Sequence, residues 1–189
     1  MKIKCITFFY LSICSFFLVG CTAAIPEQYT ELKEYPVVYP DYRGITIPYN
    51  IAPLNIAYEM EGEKFLTELK VDGQVLVMRG KQTDWKLKQW STLLESAKGK
   101  TIELNTYVQT DGAWVKYRPI KWRVAVEPID PYISYRIIAP SYVTYEDLSI
   151  RQRELATFDE QMIYNNMLLS TGKDGQCINC HSYKNYKTD

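Results

Sequence analysis

The chain has 189 residues, 47% of them hydrophobic and 23% charged, with 22 lysines and arginines balanced by 22 aspartates and glutamates. These are the proportions of an ordinary globular protein. With no clustered basic face they argue against nucleic acid as a partner, and no internal period points to a solenoid or propeller.

Lys2 and Lys4 give the chain a basic start, and residues 6–20 form an apolar stretch. The stretch is short for a membrane span and has the length of a secretory h-region, so residues 1–20 read as an export signal. An uncleaved anchor helix is the alternative, disfavoured by that shortness and by Thr7, Ser12 and Ser15. The stretch closes on Leu18-Val19-Gly20-Cys21, which resembles the lipobox of bacterial lipoproteins. The resemblance implies cleavage before Cys21, a diacylglycerol on its thiol and an acylated new amine. Several acyl chains, at about 0.8 kcal/mol per buried methylene, hold a protein on a bilayer durably where one does not. No acidic residue precedes Glu27, so the expected location is the cell envelope, lipid-anchored at the periplasmic face, with surface exposure as the alternative. Without residues 1–20 the chain keeps 20 basic and 22 acidic residues, in a length that suits one domain with appendages.

Residues 21–48 are rich in tyrosine and proline and lack a clear helix or strand period. They read as a lipidated tether that becomes an extended edge segment and lifts the domain off the lipid. Residues 49–140 are expected to form the folded domain. Ile56, Tyr58 and Met60 alternate in a first strand, residues 65–71 form a second and residues 74–78 a third, with Asp72-Gly73 as a two-residue hairpin turn. A helix follows, with Asp84 as its N-cap, Leu87, Trp90, Leu94 and Ala97 along one stripe, and Gly99 at its C-terminal end. Residues 101–109 pair with 113–117 across Asp111-Gly112, Ile120, Trp122, Val124 and Val126 alternate with polar residues, and residues 132–139 add a last strand. The fold class expected is α+β but mainly β: a sandwich of about seven strands with one inserted helix, Ig-like or a partly open barrel. Trp90 and Trp122 are assigned to the core; Trp85 and Trp114 stay free for stacking on sugar rings, the basis of a polysaccharide-binding alternative.

Residues 141–176 are expected to be a helical linker. Within it residues 146–158 place Leu148, Leu155 and Phe158 at near-helical spacing, with Arg151, Arg153 and Glu154 on a polar circumference. The arginines either face solvent or reach the propionates of a bound haem.

The tail, residues 177–189, carries Cys177-Ile178-Asn179-Cys180-His181, a C-x-x-C-H run that reads as a c-type haem attachment site. Cys5 and Cys14 leave with the signal and Cys21 is lipidated, so Cys177 and Cys180 alone remain as thiols. His181 is the only histidine. A redox disulfide is disfavoured because no βαβ unit precedes the pair, and structural zinc because three ligands fall short of four. Cys177 and Cys180 are the expected covalent anchors of one haem c, and His181 the proximal iron ligand. Met60, Met78, Met162 and Met167 are candidates for the distal position, with Met162 and Met167 nearest in sequence. Only eight residues follow His181 here, so the haem is expected to be covered by the domain and linker, by a second chain or by further sequence, or else to stay largely uncovered.

The segments Ile51-Ala52-Pro53-Leu54-Asn55, Pro131-Tyr132-Ile133-Ser134-Tyr135-Arg136, Arg151-Gln152-Arg153-Glu154-Leu155 and Cys177-Ile178-Asn179-Cys180-His181-Ser182 resemble a family of Gram-negative envelope lipoproteins. In longer members this module precedes a TolB-like propeller. The resemblance implies a cytochrome c-related envelope protein, its redox partner unspecified. The expected function is a membrane-anchored haem lipoprotein that transfers electrons, with a non-enzymatic envelope-binding lipoprotein as the alternative and a thiol oxidoreductase as a third reading. Paired catalytic carboxylates, a Ser-His-Asp arrangement and a phosphate-binding glycine loop are not discernible, and a histidine engaged on iron is unavailable as a base.

Overall fold

A computed structural model describes residues 24–138 and 148–170, together with Gly175 and Ile178. Its architecture is mainly β, with several sheets, one helix and no closed barrel among the described residues, compatible with a β-sandwich carrying an inserted helix.

The largest sheet is organised by β7 (Thr101–Thr110), which has partner strands along both edges. On one side lies β5 (Lys64–Val71), antiparallel from Lys64↔Gln109 to Lys70↔Glu103, and beyond it β6 (Gln74–Arg79). The other edge divides. β8 (Ala113–Lys116) pairs with Tyr107–Thr110, and β9 (Ile120–Val124) pairs with Thr101–Leu104. Asp72-Gly73 and Asp111-Gly112 join the two hairpins with φ of 44° and 78°, and of 50° and 76°. Both residues of each turn are left-handed, the condition under which a two-residue loop matches the twist of its strands.

Helix α1 (Leu87–Ser96) connects β6 to β7 and crosses one face of the sheet. Its Trp90, Leu93 and Leu94 are buried together with Phe65, Leu69, Val71, Ile102, Leu104, Val108, Ile120, Trp122 and Val124 from the strands. The rings of Trp90 and Trp122 meet edge to face at 6.1 Å. Each indole N–H finds a carbonyl, Ile51 O at 2.9 Å and Tyr42 O at 2.8 Å, which lets a polar atom enter an apolar core at little cost. The helix starts without a side-chain cap. Lys86 occupies the N-cap position and Asp84, expected there, instead ion-pairs with Lys86 Nζ at 3.0 Å. Gly99 has φ of +73°, as its place past the helix requires.

Residues 24–48 are not a free tether. β1 (Thr30–Glu31) lies parallel on β8, β3 (Thr46–Ile47) lies parallel on β9, and β2 (Val38–Tyr39) pairs with β4 (Ala57–Tyr58) in a small separate sheet. Val38, Ile47, Ile56 and Tyr58 belong to the main core, so this segment extends the main sheet through β1 and β3 and covers its core through β2. The edge-strand part of the expectation therefore describes what the segment does. Single apolar residues spaced between prolines and tyrosines reach the core one at a time, leaving no period to read.

Two further corrections concern the C-terminal half. β10 (Tyr132–Ile137) does not extend the main sheet but pairs antiparallel with β11 (Ser149–Glu154), which pairs with β12 (Glu160–Asn165). The expected linker helix, where it falls on described residues, is therefore a strand, a turn and a second strand; residues 146 and 147 lie outside the described residues. A helix over this sequence would bury only a thin stripe, whereas a strand between two neighbours pairs its backbone on both edges. Ala52 N–H donates to Leu155 O at 2.7 Å and ties this small sheet to the main domain.

Candidate functional site

Cys177, Cys180 and His181, and the lipidation candidate Cys21, lie outside the described residues. The ground they attach to is described. β12 ends at Asn165 and runs into a turn over residues 166–169, where Met167 N–H donates to Asn165 Oδ1 at 3.0 Å and Asn166 N–H to Leu148 O at 3.2 Å. Asn166 is fully buried, which fixes this turn against the start of β11.

Gly175 lies against this turn. Its φ is +62°, and a Cβ built there would fall 2.5 Å from Asn166 Nδ2 and 3.1 Å from Met167 Sδ. Only glycine meets both conditions, a left-handed backbone and so close an approach. Three residues further on, Ile178 is 8% exposed. Residues on both sides of Cys177 are thus held close to folded chain, with Met167 next to the first of them.

The four methionines separate by position. Met60 and Met78 pack against the main core, and Met78 Sδ accepts the Asp84 N–H at 2.9 Å. Met162 is 54% exposed on β12, opposite Arg151 in the register. Met167 Sδ lies against Gly175, 3.1 Å from where a Cβ would stand. Cysteine sulfur, imidazole nitrogen and thioether sulfur form a donor set that suits haem iron and its vinyl groups, so the residues present fit the expected cofactor. Among the described residues no group of three or more His, Cys, Asp or Glu comes together.

Register puts Ile133, Arg153 and Glu160, and next to them Tyr135, Arg151 and Met162, on one face of the small sheet. Glu160 accepts from Arg151 Nη1 at 2.5 Å and from the Tyr135 hydroxyl, and the Arg153 guanidinium stacks 5.1 Å over the Phe158 ring. Both arginines are committed to neighbours. Near them Ile133, Phe158, Ile163, Leu168 and Leu169 remain exposed, an apolar surface left open among the described residues. A polar dent of about 190 Å³ lies between Tyr132, Gln152 and Asp159, below the roughly 300 Å³ at which small-molecule pockets begin.

Trp85, left free by the sequence, is 4% exposed and belongs to the core, so Trp114 is the only partly open indole among the described residues. Proximity of Met167 to Gly175 was beyond sequence reasoning, although Gly175 between polar residues was a signal of close packing. Compared with known protein families, with curated proteins and with solved structures, the chain matches none of them.

Proposed function

We propose that this chain is a lipid-anchored c-type haem protein of the cell envelope, held to the bilayer through acylated Cys21 and passing electrons at the periplasmic face. The observation that carries the reading is the run Cys177-Ile178-Asn179-Cys180-His181. The thiols of Cys177 and Cys180 are spaced to add across one vinyl group each, and the His181 imidazole follows at the position of the proximal ligand. A haem bound this way supplies one-electron exchange at its iron. The remaining tasks fall to side chains. Met167 offers a thioether beside Gly175, and Leu168 and Leu169 in the same turn give an exposed apolar surface from which water is readily excluded.

Expression with cytochrome c maturation machinery tests the reading. The expected product is a coloured protein whose Cys177–His181 peptide carries the mass of haem, and whose Cys177→Ser/Cys180→Ser variant is colourless. Wild-type material with two free thiols and no Soret band would overturn it. Met167→Ala is expected to lower the reduction potential and change the axial-ligand spectrum, with Met162→Ala leaving both nearly unchanged.

A second reading, an envelope-binding lipoprotein without haem, draws on the exposed Ile133, Met162, Ile163, Leu168 and Leu169. It predicts a colourless wild type and a partner that masks these residues from oxidation or labelling.

A further inference from the structure

The sheet face turned away from α1 carries a cavity of about 550 Å³, bounded by Lys64, Leu66, Arg79, Lys81, Trp114 and Ala24. Lys64 and Trp114 share a face through their common partner Gln109 in the register, and Phe65, Gly62 and Gly80 close the end of the hairpin side. Its lining carries three cations against one anion, Glu63. Lys81 Nζ is 3.9 Å from the exposed Glu61 carboxylate, a weak, open pair. Lys64 and Arg79 are exposed and have no ion-pair partner among the described residues.

Ala24 gives the cavity its direction. It is the first described residue, it forms part of the wall, and its neighbour Ile25 is 36% exposed. Cys21 is three residues away in sequence, a span of at most about 11 Å for extended chain. From there the N-terminal segment crosses the same sheet face, where Tyr29 packs edge to face on Tyr107 at 5.3 Å.

We infer that this cavity is a docking site for the phosphate groups of anionic phospholipids, so that the anchored domain lies with this face on the bilayer surface. The inference rests on the proposal that Cys21 is acylated. Lys64, Arg79 and Lys81 supply the positive charge that an anionic leaflet attracts, and Trp114 is the amphipathic ring that favours the headgroup level. The anchor holds the mouth within a few residues of the lipid, so each contact forms at high effective concentration.

The test uses the mature full-length protein, first weighed for acyl groups on Cys21, then reconstituted in vesicles of phosphatidylethanolamine and phosphatidylglycerol or kept in a phosphate-free detergent. Lysines are labelled with a water-soluble amine reagent and quantified by mass spectrometry. Lys64 and Lys81 are expected to react several-fold more slowly on vesicles than in detergent, with Lys88 on α1 unchanged, and Arg79→Gln is expected to restore part of the Lys64 reactivity. Equal labelling of an acylated chain overturns this inference alone. So does protection by inorganic phosphate in detergent equal to that on vesicles, or an Arg79→Gln variant protected like wild type. A mature chain with no acyl group on Cys21 overturns the anchor and this inference together.

Discussion

Tyr58 joins the two layers through one hydroxyl. It sits 2.6 Å from Thr67 Oγ1 and 3.1 Å from Thr106 Oγ1, three buried oxygens that satisfy one another, while its ring stacks on Phe65. Burial pushes its pKa up from the ordinary 10.0. On the opposite sheet face burial first, and then the Glu68 charge, pushes up that of Tyr107, whose hydroxyl donates to Glu68 Oε2 at 3.3 Å. Tyr58→Phe strands two threonine hydroxyls and is expected to cost about 1–2 kcal/mol in urea unfolding at neutral pH. Above pH 10 the unfolded chain releases these two protons while the folded chain keeps them, so stability falls as pH rises through that value. The fall should be shallower in Tyr58→Phe/Tyr107→Phe than in wild type. At this scale the sequence was informative about Trp90 and Trp122 as core residues. It was silent on the carbonyls of Ile51 and Tyr42 that satisfy their indoles, because those partners are 39 and 80 residues distant.

Elements were legible where a local signal agreed with the final packing. The Asp-Gly turns, the stripe of α1 and the alternation in β9 each determine one structure from a few adjacent residues. β11 had no such agreement. Its sequence Ser149-Ile150-Arg151-Gln152-Arg153-Glu154 is polar on both faces, and pairing with β10 and β12 rather than burial makes it a strand. The Gly175 contact belongs to this scale too, since it sets Gly175 against the turn after β12. Gly175→Val puts side-chain atoms where Asn166 and Met167 already stand. The variant is expected to speed proteolysis of the tail and amide exchange at Met167, with the thermal unfolding of the main domain unchanged within about 1 °C, because a surface contact away from the core contributes little to global stability.

For the whole molecule, the folded unit begins well before residue 49. Removing residues 24–48 would delete β1, β2 and β3 and take Val38 and Ile47 from the core. Those two side chains alone account for about 3–6 kcal/mol of burial, comparable with the total stability of a small domain, about 5–15 kcal/mol. A chain starting at residue 49 is expected to lose cooperative unfolding, and one starting at residue 24 to keep it, as followed by circular dichroism in urea. The same fold sets Gly175 against the turn after β12 at one end and a cationic cavity beside Ala24 at the other. Residue types and short spacings were enough by themselves to specify the mainly β class, the Asp-Gly hairpins and helix α1, since each depends on neighbours within a few positions. Which strands share a sheet, that residues 24–48 extend the main sheet and cover its core, that β11 is extended, and that Met167 lies against Gly175 were decided by contacts between distant segments, where burial and backbone pairing outweigh local preference.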